Sequence, residues 1–301
     1  IAPYAFGYCE NLTDVTINSV KELDYSVFIK SGLTEITIPG DITSIGTNCF
    51  GQSNVNINIQ KNKLDSGITG GPWGSTGIVT WKDTYNKDDY IIDIDGYLQR
   101  YKGSETNVNI PEKVTNDEGT EIIVKEIGEY AFSGLDTIPM ANPNNKNITS
   151  ITIPNTITKI GQYAFRQCES LQNITIANDS QLENIDKCAF YECTSLGTIN
   201  IPNSVRQIGD SAFYNCSALT SIVIPNSVTQ IGDNAFYECS SLTNITIPNS
   251  VTQIGDSAFY ECSSLTNITI PDSVTSIGTN TFSYCENLSN VKLSEQLETI
   301  D

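Results

Sequence analysis

The sequence predicts an α/β-type solenoid, mainly β, in which units of about 23 residues stack and leave a parallel sheet along one face. Three observations predict it: a leucine recurs at a fixed interval, a short alternating apolar segment follows it, and each unit ends in an I-G-x-x-A-F-x-x-C pattern. The interval is 23 residues between successive members of the set Leu196, Leu219, Leu242, Leu265 and Leu288.

The unit that begins at Leu242 illustrates each element in order. Thr246 faces the opposite way from the isoleucines on either side of it, which is the alternation of a half-buried strand. Pro248 ends the strand, because proline cannot donate to a ladder. Gly255 stands where we expect a backbone with positive φ. The run Asp256–Cys262 is expected to form a short helical or 3₁₀ turn on the other face.

A single unit cannot bury its apolar edge. Stacking units at the strand spacing of roughly 4.8 Å buries a continuous core and lines up equivalent side chains in columns. The units that begin at Leu12 and Leu171 depart from the period, with 21 and 25 residues. Both ends of the sequence fall inside a unit, so we expect a piece of a longer array.

Composition excludes several function classes. The 301 residues carry 35 acidic and 16 basic side chains, a formal charge of −19, and no histidine. Such a charge disfavours binding to nucleic acid or to an anionic membrane surface. Without histidine, Ser-His-Asp and Cys-His catalysis and His-ligated zinc are impossible. No apolar run approaches the roughly 18 residues of a membrane span, so no direct membrane insertion is expected in this segment.

Regularity fails in the middle of the chain, and we predict three segments. Residues 1–59 form a first block, 60–89 a spacer or cap hairpin, and 90–301 a second block. The spacer contains the segments GGPWG, expected to turn, and IVTW, expected to be a strand. Its Trp73 and Trp81 either cover the end of the first block or offer an aromatic platform for a ligand, and we favour the cap. Two further polar insertions span 115–121 and 140–147.

The segment IPNSVTQIGDSAFYECSSLTNITIP resembles the BspA-like (Treponema pallidum type) leucine-rich repeat, and the likeness covers roughly four fifths of the chain. This resemblance implies a curved, right-handed stack with the sheet on the concave face. It also implies a secreted or cell-wall-attached bacterial protein that adheres to host matrix proteins, epithelial cells or other bacteria. The family has no shared catalytic residues, so none is transferred.

The outward positions of successive strands are the candidate binding residues. They are small, polar and nearly uncharged, which suits either an extended hydrogen-bonding surface or simply an exposed sheet. We leave both readings open. The candidates are Ser150, Thr152, Asn173, Thr175, Thr198, Asn200, Ser221, Val223, Asn244, Thr246, Asn267 and Thr269.

Cysteine, tyrosine and carboxylate columns have simpler explanations. Seven of nine cysteines share one position of the repeat, and their parallel Cβ directions favour a ladder of buried thiols over disulfides. No cysteine spacing suits zinc. Tyr191, Tyr214, Tyr237 and Tyr260 are expected to stack near the convex surface. The carboxylates beside them, such as Asp233, read as a solvated face, with calcium binding a remote alternative.

The sequence therefore predicts a non-catalytic extracellular protein without cofactor or metal. Its partner would be a host or bacterial surface protein or a glycan, bound through the concave sheet and the inserted loops, which are the expected source of specificity. One alternative is a structural spacer that projects another domain. A more remote one is a carbohydrate-active enzyme with a carboxylate pair, which the nearly acid-free sheet positions disfavour.

Overall fold

The computed structural model describes residues 1–63, 68, 73–75, 77–135, 142–297 and 299–300. Contacts divide these residues into two units. Unit 1 contains Ile1–Gln99 and Val114–Ile122, and unit 2 contains Arg100–Lys113 and the described residues from Ile123 onward. Each unit is a stack of short parallel strands and turns.

Unit 1 carries two parallel ladders. Strand β1 pairs with β3, and β2, β4 and β5 form a three-stranded parallel sheet. Strands β6 and β7 form an antiparallel hairpin. The bounds are β1 Glu22–Leu23, β2 Glu35–Ile38, β3 Ser44–Ile45, β4 Asn56–Ile59, β5 Val79–Trp81, β6 Tyr85–Lys87 and β7 Tyr90–Ile92.

Three strands lie where the ranges of the two units meet along the chain. They are β8 Tyr97–Tyr101, β10 Lys113–Thr115 and β11 Glu121–Ile123. The last two form a two-stranded sheet of their own. The insertion predicted at 115–121 is the connection of this sheet.

Unit 2 also contains two ladders, and they are more regular. Its main sheet runs β9-β13-β15-β17-β19-β21, and β23 pairs with β25. Its strands on that face are β9 Asn107–Asn109, β13 Ser150–Ile153, β15 Asn173–Ile176, β17 Thr198–Asn200, β19 Ser221–Val223, β21 Asn244–Thr246, β23 Asn267–Thr269 and β25 Asn290–Lys292.

A second ladder of unit 2 is built from two-residue strands that pair in sequence order. They are β12 Glu126–Ile127, β14 Lys159–Ile160, β16 Asn184–Ile185, β18 Gln207–Ile208, β20 Gln230–Ile231, β22 Gln253–Ile254, β24 Ser276–Ile277 and β26 Thr299–Ile300. One 3₁₀ helix, Pro143–Asn147, precedes β13 and begins at the N-cap Asn142. It occupies the insertion predicted at 140–147, of which residues 140 and 141 lie outside the described residues. Among the described residues, no helix has the length and apolar character that crossing a bilayer needs.

The core of each turn consists of the apolar residues that the repeat predicts. In the turn that begins at Leu242, the side chains of Leu242, Val251, Ala258, Phe259 and Cys262 are fully buried. Phenylalanines of successive turns stack with nearly parallel rings, and the centroids of Phe213 and Phe236, for example, lie 5.5 Å apart. The predicted solenoid with its parallel sheet is confirmed.

The segments opposite the sheet differ in one detail from the expected helical or 3₁₀ turns. In the regular turns of unit 2, two residues per turn have left-handed φ, at the second and sixth positions after the repeat glycine, as at Ser257 (φ 52°) and Glu261 (φ 56°). Such a residue costs about 1–2 kcal/mol when it is not glycine. Its N–H, however, donates to a carbonyl of the next turn, as Ser257 does to Thr279 at 2.8 Å. The hydrogen bond between turns offsets the local strain.

The repeat glycine itself does not have positive φ, so that part of the prediction is wrong. At Gly255 an added Cβ would lie 2.6 Å from the backbone nitrogen of Asp233 in the preceding turn. Real Cβ atoms do not approach that closely. Glycine is required here because two backbones pass close together, a contact that only the stacked structure creates.

Candidate binding surface

The predicted binding residues form aligned rows across the main sheet of unit 2. Parallel pairing places Ser150 beside Asn173, Asn173 beside Thr198, and Ser221 beside Asn244. A second row contains Asn200, Val223 and Thr246. Strand β9 adds Asn107 and Asn109 beside Ser150 and Thr152. Asn267 and Thr269 take the equivalent places on β23, beside Asn290 and Lys292 of β25.

These side chains are exposed because the strand alternation points their neighbours into the core. Ser150 is half-buried and the other candidates are exposed. Val223 is the one apolar candidate and is 67% exposed. Only Lys292 adds a charge to these rows. The face therefore offers mainly uncharged hydroxyl and amide groups.

Hydrogen bonds hold part of this surface in place. The hydroxyl of Ser150 donates to the Asn107 side-chain oxygen at 2.7 Å. The amide of Asn267 donates to the Thr266 hydroxyl at 3.1 Å, and the Thr243 hydroxyl donates to the carbonyl of Thr220 at 3.3 Å. Asn and Thr side chains each have more donors and acceptors than these bonds use. The remaining capacity faces outward.

Trp73 and Trp81 lie in the core of unit 1, each 6% exposed. Trp81 belongs to β5, which confirms the strand predicted from IVTW, and pairs with Ile59 of β4 in a parallel sheet. The indole rings meet edge to face with centroids 6.4 Å apart. Within GGPWG, Gly70–Pro72 lie outside the described residues, and Trp73 and Gly74 form a turn with φ of 53° and 83°. Neither indole presents its face to the surface.

The insertion at 115–121 is tied to the spacer by charge. Asp117 forms an ion pair with Lys87, with 2.7 Å between its carboxylate oxygen and the ammonium nitrogen. A carboxylate oxygen of Glu118 lies 3.6 Å from the ammonium nitrogen of Lys82. The buried amide of Asn116 donates to the carbonyl of Asp83 at 3.1 Å. These contacts fix the loop against residues 82–87, and part of its polar surface is used inside the molecule.

The second insertion packs on the array through its 3₁₀ helix. Asn145 is fully buried, and its amide donates to the carbonyl of Ser133 at 3.3 Å. The carbonyl of Lys146 accepts the N–H of Ser170 at 3.1 Å.

Cysteines form the predicted ladder of free thiols. All nine are unpaired, and Cys216, Cys239 and Cys262 are fully buried. Each of these thiols donates to a phenylalanine carbonyl of the preceding turn, for example Cys262 to Phe236 at 3.2 Å. Burial raises the pKa of Cys239 to about 12, so the thiol is inert as a nucleophile near neutral pH.

The aspartates that directly follow the repeat glycine have a role that the sequence analysis missed. Asp233 accepts the N–H of Asp256 at 2.9 Å, and Asp256 accepts the N–H of Thr279 at 2.7 Å. Each carboxylate therefore caps a backbone donor of the next turn. The signal was present in the recurrence of Asp directly after the repeat glycine, but the acceptor role depends on which turn lies beside it.

Asp93 of the DIDG segment is also engaged within the protein. One of its carboxylate oxygens accepts the N–H groups of Asp95 and Tyr97, and the other is 2.9 Å from the ammonium of Lys63. In the described part of the chain, no group of three or more acidic or cysteine side chains is arranged to hold a metal ion.

The comparisons with known proteins agree with this architecture. The profile of the BspA type leucine rich repeat region matches residues 1–68, 136–232 and 206–301 in six copies. A crystal structure of a Treponema pallidum leucine-rich repeat protein is 29% identical, with a TM-score of 0.55 over 64% of this chain and 82% of that one. No curated protein matches the chain.

Two further crystal structures are similar. A leucine-rich repeat protein of Bacteroides ovatus is 29% identical, with a TM-score of 0.59 over 73% of this chain, and the match spans 54% of that chain. One of Eubacterium ventriosum, 21% identical over 83% of this chain and 70% of its own, has a TM-score of 0.52 and shares the fold. The matched family is a family of repeat proteins and not of enzymes, and these neighbours are leucine-rich repeat proteins. The chain belongs to the BspA-type leucine-rich repeat family.

Proposed function

We propose that this protein is a non-catalytic adhesin, secreted or attached to the bacterial cell wall, that binds a host or bacterial surface protein or a glycan. The binding surface is the outward face of the main sheet in unit 2, from Ser150 to Thr269. The predicted division into residues 1–59, 60–89 and 90–301 belongs to the same proposal, with the spacer separating two repeat blocks.

The observation that carries the proposal is the aligned, uncharged rows of that face. Side chains such as Asn173, Thr198, Ser221 and Asn244 repeat in register from strand to strand. A protein or glycan ligand with a row of polar groups can form many weak hydrogen bonds to them, each with small desolvation cost. Affinity then grows with contact length rather than with one deep pocket.

The test is a binding screen of the purified chain on immobilised matrix proteins, mucins and a glycan array at physiological salt. A variant carrying Asn244→Arg, Thr246→Arg and Thr269→Arg places bulk and charge on the sheet face. Its matched control carries Gln207→Arg, Gln230→Arg and Gln253→Arg, which adds the same charge at exposed positions of the second ladder.

Saturable binding that the sheet variant loses and the control keeps would support the proposal. Binding that both variants keep would move the site away from this face. The chain could also bind nothing on the panel while a longer natural form binds, even after its repeats are exchanged for other repeats. In that case the repeats act as a spacer that projects another domain.

A further inference from the structure

The four stacked tyrosines of unit 2 form a surface that the sheet-face proposal does not use. We call Tyr191, Tyr214, Tyr237 and Tyr260 the tyrosine ladder. Successive ring centroids lie 4.5, 4.7 and 4.5 Å apart with nearly parallel planes. All four are half-buried, so one edge of each ring faces solvent. The stacking predicted from the sequence is confirmed.

A glutamate follows each tyrosine of the ladder except Tyr214, which Asn215 follows. The N–H of Glu192 donates to the carbonyl of Tyr214, and that of Glu238 donates to the carbonyl of Tyr260, each at 2.8 Å. Burial raises the pKa of Glu238, and the charges of Glu261 and Glu192 add to the shift. Burial, followed by the charge of Glu238, raises the pKa of Tyr214 to about 12. The ladder therefore lies in a negative potential.

The chain itself shows which group fits the end of this ladder. In the turn before Tyr191, the ladder position is occupied by Arg166. Its guanidinium carbon lies 5.1 Å from the centroid of the Tyr191 ring and 5.3 Å from that of Tyr163. Its Nε is buried without a hydrogen-bond partner. The ring faces hold the cation, as expected for a cation–π contact within about 6 Å.

At the opposite end of the ladder, no lysine or arginine of the described residues stacks on the terminal ring. There Ser283 occupies the ladder position, and Tyr284 occupies the glutamate position. The Tyr284 ring is tilted by 57° against Tyr260, with centroids 5.1 Å apart, and the residue is 63% exposed. An open groove at this end is lined by Asn215, Glu238, Ser240, Glu261, Ser263, Tyr284 and Glu286.

The wider charge distribution favours a basic occupant. From Phe190 to Asp301 the sequence has eleven acidic residues and two basic ones, Arg206 and Lys292. We propose that the tyrosine ladder and the groove at Tyr284 form a second interaction surface, which binds an arginine-bearing basic segment of a partner protein. One guanidinium of the partner lies against Tyr260 and Tyr284 between Glu238, Glu261 and Glu286, in the manner of Arg166 at the other end.

The test uses the full chain and a short fluorescein-labelled peptide of alternating arginine and serine. The same peptide with citrulline in place of arginine keeps the shape and removes the charge. Fluorescence anisotropy at physiological salt should show saturable binding of the arginine peptide, and binding of the citrulline peptide weaker by about tenfold or more. Equal binding of both peptides, or no binding of either, would overturn the proposal.

Variants separate a built site from general attraction to a negative protein. Glu238→Gln, Glu261→Gln and Glu286→Gln together should weaken binding about tenfold. The control Glu10→Gln, Asp14→Asn and Glu22→Gln removes the same charge from exposed positions of unit 1 and should leave binding nearly unchanged. If both triple variants weaken binding equally, only net charge acts and the proposal fails.

The aromatic contribution is tested at Tyr284, whose exposed side chain can change without emptying the core. Tyr284→Ser should weaken binding several-fold, whereas Tyr284→Phe should retain it, because the ring face carries the contact. Unchanged peptide binding by the Tyr284→Ser variant would contradict the proposed contact with Tyr284. The arginine substitutions on the sheet face, at Asn244, Thr246 and Thr269, should leave the peptide bound. The proposal for this surface and the proposal for the sheet face are therefore tested independently.

Discussion

The regular turns from Leu196 to Ile277 and the spacer, residues 60–89, differ in the interactions that add to their apolar core. In the regular turns, buried apolar side chains, stacked phenylalanines and backbone bonds between turns repeat at every step. In the spacer, the buried Trp73 and Trp81 belong to the core of unit 1, and ion pairs between non-equivalent residues add to it, among them Lys63 with Asp93 and Asp95 and Lys87 with Asp117.

This difference follows from periodicity. A strict repeat brings equivalent side chains of successive turns next to each other, so the fully buried columns consist of neutral groups, such as the thiols and phenyl rings, whereas the repeating carboxylates are exposed or half-buried. A non-repeating segment can set opposite charges against each other. The stability of the regular turns should therefore depend on backbone spacing and on the ionisation of buried neutral groups. The stability of the spacer should depend on salt concentration.

The largest expected effect is the loss of stability when the backbone spacing in the regular turns is disturbed. Gly255→Ala places a Cβ 2.6 Å from the Asp233 nitrogen, so the two turns must separate, at a cost of about 1–3 kcal/mol in the free energy of unfolding. Gly197→Ala is the matched control, because nothing lies within 4 Å of its added Cβ and its φ is not positive. Urea denaturation should show the first variant destabilised and the second unchanged or slightly stabilised. Equal destabilisation of both would refute the close-approach explanation.

The second expected effect is on alkaline stability. Burial raises the pKa of Cys239 from 9.0 to about 12. An acid whose folded-state pKa is raised contributes full stability below its unfolded pKa, and that contribution is lost as pH rises, because the unfolded thiol ionises first. Between about pH 8 and pH 10 this thiol should account for about 1.4 kcal/mol of lost stability.

Denaturation curves at the two pH values measure this loss. Cys239→Ala should lose about 1.4 kcal/mol less than the natural chain over that interval. Cys9→Ala, at an exposed cysteine, is the control and should follow the natural chain. If the Cys239 variant has the same pH dependence as the natural chain, buried thiols do not govern alkaline unfolding.

The smallest expected effect concerns the insertion on the spacer. Glu118→Gln removes the ion pair with Lys82, in which the two side chains are 36% and 60% exposed. An exposed pair contributes about 0.2–1 kcal/mol. Hydrogen exchange of residues 116–120 should quicken slightly, and added salt should produce the same change in the natural chain. Glu22→Gln, at an exposed glutamate elsewhere in unit 1, should leave exchange at 116–120 as it is.

Sequence reasoning went far where the repeat is regular. The alternation around Thr246 placed each candidate residue on the outward face, and the common position of the cysteines predicted free thiols rather than disulfides. It went less far where contacts join different turns. In the sequence Gly255 and Asp233 look like a flexible residue and a solvated acid, because the group that each one contacts lies in another turn. Whether the sheet residues and the insertions bind a partner is still a prediction.

The sequence by itself determined the period, the inward and outward faces of each strand, the thiol and tyrosine columns and the family. These features can be predicted because they are local. Alternation and spacing decide which side chains share a face, and repetition extends the same arrangement along each stack. The tertiary structure decided why glycine is needed, where left-handed residues are tolerated, what the aspartates cap, and that both tryptophans are buried. These depend on distances between backbones about one strand spacing apart, which exist only after the turns have stacked.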